Sequence, residues 1–147
     1  MQVGSLQHLR HPDSARSVSL TNSIARWHEV ALTPDKALLE PLLADDACFE
    51  SPVVHTPQHG KTLVLAYLGA AGQVFSNSNF RYVGEWRADN SAVLEFEALI
   101  DGITINGVDI ITWNTADLIR HFKVMIRPLK AINLLHRKMG EILLKAT

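Results

Sequence analysis

The chain has 147 residues, 47% of them apolar and 20% charged, and its 14 Lys and Arg against 15 Asp and Glu give a formal net charge of −1. That describes one soluble globular domain, large enough to fold without disulfides or a structural metal. The balanced charge lacks the basic footprint of nucleic-acid binding, and no window reaches the ~20 apolar residues of a membrane span. Cys48 is the single cysteine, so no internal disulfide can form and the cytoplasm is the expected compartment.

Residues 1–12 show no apolar period and read as an N-terminal arm that is neither signal peptide nor anchor, with the domain covering 13–147. Leu20, Ile24, Trp27 and Ala31 recur at helical spacing and predict a first helix ending near Leu32. Thr33-Pro34-Asp35 supplies a cap oxygen, a first-turn proline and an early acid for a second helix that buries Leu38, Leu39, Leu42 and Leu43. Pro41 conflicts with that helix, since it has no N–H to donate. Ala47 to Ser51 reads as a short strand stopped by Pro52. Gly60-Lys61-Thr62 then opens a third helix with the stripe Leu63, Tyr67, Ala70 and Val74, which Ser76 to Asn79 closes.

From Phe80 the period changes. Phe80 to Arg87, Ala92 to Asp101, Thr104 to Asn114 and Leu118 to Arg127 read as strands, separated by Asp89-Asn90, Gly102 and Thr115-Ala116-Asp117. Pro128 opens a last helix with Leu129, Ile132, Leu135, Met139, Ile142 and Leu143 on one side. The expected fold class is α+β, with three N-terminal helices covering a strongly curved antiparallel sheet and a C-terminal helix beyond it. A bent sheet over a long helix encloses a conical hollow, the usual place for a small ligand.

The segment Ala44-Asp45-Asp46-Ala47-Cys48-Phe49-Glu50-Ser51-Pro52-Val53, followed by Pro57 and Gly60, resembles the nuclear transport factor 2-like superfamily, and within it the ketosteroid isomerases. Arg26-Trp27 and Val108-Asp109-Ile110 carry the resemblance further, and it spans about Ile24 to Arg127. It implies a cystatin-like cone and, in the isomerases, an Asp base working with a Tyr and a protonated Asp as oxyanion donors. The oxyanion acid matches Asp109. The tyrosine falls on Trp27, whose indole N–H donates but cannot accept or titrate. The base falls on Ser51, and a serine hydroxyl is no base near neutral pH without an activating group, so steroid isomerase activity is not expected. The resemblance to the polyketide-cyclase-like branch places an inward Asp in the last strand, where this chain has Val124. Many members are homodimers through the outer sheet face, and a two-fold dimer is expected by that analogy.

Other residues invite chemistry. Asp109 is the candidate catalytic or ligand-orienting acid, although a structural carboxylate would also explain it. His28 follows Trp27 but points about 100° away from it. Glu95 and Glu97 share a strand face, yet Leu94, Phe96, Ala98 and Ile100 make the better enclosed side. His55 and His59 flank Pro57 with no third ligand, so no metal site is expected, nor any cofactor. Cys48 has no adjacent base or cation to activate it.

The aromatic set Trp27, Phe49, Phe96, Trp113 and Phe122, with Ser51 at the mouth and Val124, is expected to line the hollow. The leading functional expectation is therefore a protein that binds a small hydrophobic molecule, with one buried acid. The alternatives are an isomerase, dehydratase or cyclase acting on a hydrophobic carbonyl compound, and a homodimeric interaction module with a filled cone.

Overall fold

The structure, a computed structural model, describes residues 23–146. The expected arm, the domain start near Asp13 and the Leu20 end of the first helix lie outside the described residues. Helix α1 covers 23–30 and buries Ile24 and Trp27. A one-turn α2 (Lys36–Leu39) and a 3-10 turn (Glu40–Leu42) lead into β1 (Leu43–Glu50) and the two-residue β2 (Gln58–His59). Then follow α3 (Lys61–Phe75), β3 (Arg81–Arg87), β4 (Ser91–Ile100), β5 (Ile103–Trp113), β6 (Ile119–Arg127) and α4 (Leu129–Ala146).

The second helix is shorter than its apolar residues suggest. Asp35, rather than Thr33, is its N-cap, accepting from Ala37 N at 2.9 Å, while Thr33 Oγ1 accepts from Asp35 N. Pro41 ends it by forcing the 3-10 turn, where a missing N–H costs nothing. Leu43 consequently belongs to β1, which starts four residues before the expected Ala47, and Leu38 turns outward. In α3 the expected stripe is also corrected at Leu63, which is exposed, while Val64 and Leu68 take the core positions.

The sheet is mixed, in the order β2-β1-β6-β5-β4-β3, which corrects the expected all-antiparallel meander. β3 to β6 do form that meander, turning between β4 and β5 on Asp101-Gly102, both at positive φ as a two-residue hairpin requires. β1, however, runs parallel to β6, because the chain between them crosses over through α3 and the other strands. Register shifts in β1, β3 and the β5–β6 pair mark bulges, which bend strands and increase their twist.

Alternation along β4 and β5 sends Leu94, Phe96, Ala98, Ile105, Ile111 and Trp113 to the helix-covered side. Two apolar clusters form there. One joins α1, α2, the start of α3 and β1 to the far end of the meander, around Ile24, Trp27, Phe49, Leu68 and Phe122. The other joins the end of α3 to α4, around Phe75, Phe96, Ile105, Ala131, Leu134 and Leu135. Tyr82 and Val124 pack against both. At Gly107 the absence of a side chain is required, since a Cβ would stand 2.6 Å from Phe96 Cζ and from the Met125 carbonyl oxygen.

Candidate functional site

Between the two clusters lies a cavity of about 290 Å³ that the side chains leave unfilled. It sits at the small end of the ~300–1,000 Å³ usual for ligand pockets. α1 contributes Trp27, β1 and the loop after it contribute Phe49 and Ser51 to Val54, and α3 contributes Tyr67, Leu68 and Phe75. The sheet contributes Tyr82, Phe96, Asp109, Phe122, Val124 and Ile126, and α4 closes the side with Leu135, His136, Met139, Gly140 and Leu143. Of the expected lining residues, Trp27, Phe49, Ser51, Phe96, Asp109, Phe122 and Val124 meet here. Trp113 does not. It shares the Asp109 face of β5 but lies four residues along, where it is consumed in packing the first cluster.

Asp109 sits among apolar neighbours in mid-strand, level with Leu94 on β4 and Val124 on β6, and is 6% exposed. Burial pushes its carboxyl up to about 7, because taking it from water penalises the charged form, and the bond from Tyr82 pulls only slightly the other way. The Tyr82 hydroxyl donates to Asp109 Oδ2 at 2.6 Å, and Trp27 Nε1 donates to the Tyr82 oxygen at 3.0 Å. Burial, then the Asp109 charge, raise the phenol well above its ordinary range, so it remains protonated.

The direction of this chain is fixed by its first member. An indole N–H can only donate, so the Tyr82 oxygen accepts from it and turns its own proton to Oδ2. Among the described residues Oδ1 makes no hydrogen bond. When Asp109 is protonated, the proton therefore belongs on Oδ1, where it can be given to an acceptor in the cavity. When it is ionised, Oδ1 accepts.

Tyr82 is the residue that sequence reasoning missed. Its position was readable in the alternation of Phe80, Tyr82 and Gly84, but its reach to Asp109 depends on cross-strand register. Tyr82 aligns with Phe96 and Phe96 with Gly107, two residues from Asp109. Trp27 thus does not replace the family's tyrosine as a donor to ligand, as the resemblance implied. It positions Tyr82.

Ser51 Oγ accepts from the backbone N–H groups of Val53 and Val54, at 3.0 and 3.1 Å. Both bonds pin the turn after β1 and leave the hydroxyl proton free to donate, but they oppose any role as a base. Tyr67, stacked on Phe49 with centroids 5.4 Å apart, has no hydrogen bond to its hydroxyl among the described residues. His136 is exposed where α4 meets the cavity.

The remaining candidates lie elsewhere. Glu97 pairs with Arg81 and Glu95 accepts from Asn106, on the side of β4 away from the cavity. His28 pairs with Glu85 at 2.9 Å and is not part of the lining. Cys48 stands beside His59 and His121 in the strand registers, and burial, with the Glu50 charge, raises its thiol. His55 and His59 are in the loop and in β2, and among the described residues no three His, Cys, Asp or Glu side chains are placed to hold a metal ion. No described helix is long and apolar enough to cross a membrane.

No family model matches the chain, and no curated protein does. Solved structures do match. An uncharacterised protein with a cystatin-like fold from Silicibacter pomeroyi is 37% identical, covering 81% of this chain and 83% of that one, with a TM-score of 0.76. A steroid delta-isomerase from Pseudomonas aeruginosa is 31% identical over 87% of this chain and 93% of its own, with a TM-score of 0.81. An NTF2-like protein of unknown function from Mesorhizobium loti shares the fold at 18% identity and a TM-score of 0.67, covering 77% and 94%. With a cone-forming sheet, a cavity beneath it and an isomerase this similar along nearly its whole length, the chain belongs to the nuclear transport factor 2-like superfamily.

Proposed function

We propose that this protein binds a compact, largely apolar molecule carrying one carbonyl oxygen, and holds that oxygen with the Asp109 carboxylic acid. The observation that carries the reading is the unpaired Oδ1 of a buried acid in an unfilled apolar cavity, with Tyr82 holding Oδ2. A carbonyl accepts from the protonated acid and has no hydrogen to give the ionised one, whereas a hydroxyl can accept from the first and donate to the second. Carbonyl binding therefore weakens as pH rises through about 7. Titrating cyclohexanone into the protein between pH 5 and pH 9 (assay settings at about two pH units on either side of neutrality) tests this by calorimetry. Loss of affinity at high pH, removed by Asp109→Asn, is expected; stronger binding at high pH would overturn it.

A second reading, catalysis on such a carbonyl compound, draws on His136, which among the described lining residues joins Asp109 and the tyrosines as a side chain able to exchange a proton. Asp109 would polarise the carbonyl while His136 moved a proton on the adjoining carbons, and the similarity to a steroid delta-isomerase adds to it. Conversion of cyclohex-3-enone to its conjugated isomer, followed by absorbance and abolished in His136→Gln, would establish it. No conversion above the buffer rate leaves binding alone.

The same proposal has the protein act in the cytoplasm as a homodimer. Its support is the unpaired Cys48 and the exposure of Val83, Leu99 and Met125 on the sheet side away from the cavity. Sedimentation as a monomer at micromolar concentration would end the dimer part.

A further inference from the structure

We infer that the ligand enters between the turn after β1 and helix α4, polar end first, and that Gly140 sets how bulky a trailing apolar group the entrance admits. This rests on the carbonyl-binding reading for the ligand's leading end and adds what lies behind it. Parallel pairing is the first observation: β1 and β6 run the same way, so the segments that follow them, Ser51–Val54 and α4, leave from the same end of the sheet. Both line the cavity, and both are only partly covered there. One side of the gap is pinned by the two bonds to Ser51 Oγ; the other is helix.

The second observation is Gly140 itself. A glycine within a helix is less favourable than alanine, and it persists where something must pass close to the backbone. Among the described residues nothing does so: a Cβ built at Gly140 would meet none of their atoms within 4 Å. Packing among them therefore gives no reason for the residue. On the helical wheel Leu135 and Met139 face the second cluster, Leu143 is turned further toward the cavity, and Gly140 lies furthest round, at the outer edge of the cavity-facing side. A side chain there would overhang the opening.

The chemistry of the opening specifies the trailing group. Among the described residues lining the cavity at this opening, Pro52, Val53, Val54, Met139 and Leu143 bear no charge and His136 is ionisable, while Glu50, His55 and Lys123 line a neighbouring pocket that shares Pro52 and Val54. The group that trails through this opening is thus an uncharged alkyl chain, and not a second carboxylate or a sugar.

Calorimetric titration of cyclohexanone, butylcyclohexanone and octylcyclohexanone, alkylated para to the carbonyl, decides this with wild type, Gly140→Ala, Gly140→Leu and Asp109→Asn. Wild type should bind more tightly as the chain lengthens. Gly140→Leu should lose at least about tenfold in affinity for the octyl compound while keeping that for cyclohexanone, and Gly140→Ala should lie between. Both Gly140 variants should melt no lower than wild type. An unchanged chain-length dependence in Gly140→Leu, with Asp109→Asn still weakening every ketone at about pH 5, where the wild-type acid is protonated and a stronger donor than the amide, overturns the entrance and leaves the carbonyl reading standing. The reverse pattern overturns the carbonyl reading and leaves the entrance. No binding of any of the three ketones overturns both.

Discussion

Strands β4 and β5 carry carboxylates on both faces of the same ladder, and the two faces treat them differently. On the outer side Glu97 has Arg81 at 2.7 Å in an exposed pair, and Glu95 has Asn106 at 3.0 Å in a partly buried one. On the inner side Asp109 has one partner for two oxygens and is 6% exposed, along the cavity. Two acids at strand spacing look more like a catalytic pair on paper than a single one does. Burial reverses that ranking, because it pushes the carboxyl of the inner acid up to about 7.

The sharpest way to break this contrast is to measure stability against pH. Folding raises the Asp109 pKa from 3.8 to about 7, so above 3.8 the unfolded chain releases a proton that the folded chain retains. The Asp109 contribution to stability is greatest below the lower value and falls as pH rises, levelling off above the upper one. The loss is on the order of 4 kcal/mol. Urea titrations across that range should show it in wild type and not in Asp109→Asn, whose amide can still accept from Tyr82. A smaller effect is expected for Tyr82→Phe, which strips Asp109 of its donor and Trp27 of its acceptor. It should cost about 1–3 kcal/mol and push the carboxyl still higher, so that the pH-dependent loss extends to higher pH in the same titrations. Glu97→Gln on the outer face should change stability by no more than about 0.5 kcal/mol, since its ion pair with Arg81 is well exposed, and chemical denaturation at one pH suffices to check it. A large effect there would erase the distinction between the faces.

Much of the fold was legible because it rests on period. Strands β4 and β5 alternate cleanly, and Leu94, Phe96, Ala98 and Ile100 identify the buried side of β4 without help. What period could not supply was partnership between distant segments. The parallel seating of β1 on β6 and the two-residue β2 depend on contacts across the chain. Pro41 signalled trouble in the second helix, but its outcome, a 3-10 turn feeding directly into a longer β1, required knowing where that strand was bound. In the site, Asp109, Trp27 and Ser51 were visible through the resemblance, whereas Tyr82 was hidden behind register. Trp113 misled for the opposite reason: shared face does not mean shared depth, and four residues along β5 separate the hollow from solid core.

Gly107 extends that lesson to residues that never border the hollow. Its missing methyl lets the Phe96 ring rest across the neighbouring strand. Fill that space and the aromatic floor must tilt upward, shrinking the chamber from below. Two homologous chains could thus agree at every position facing the guest and still accommodate guests of different thickness, with the difference written in a hydrogen atom beneath the floorboards.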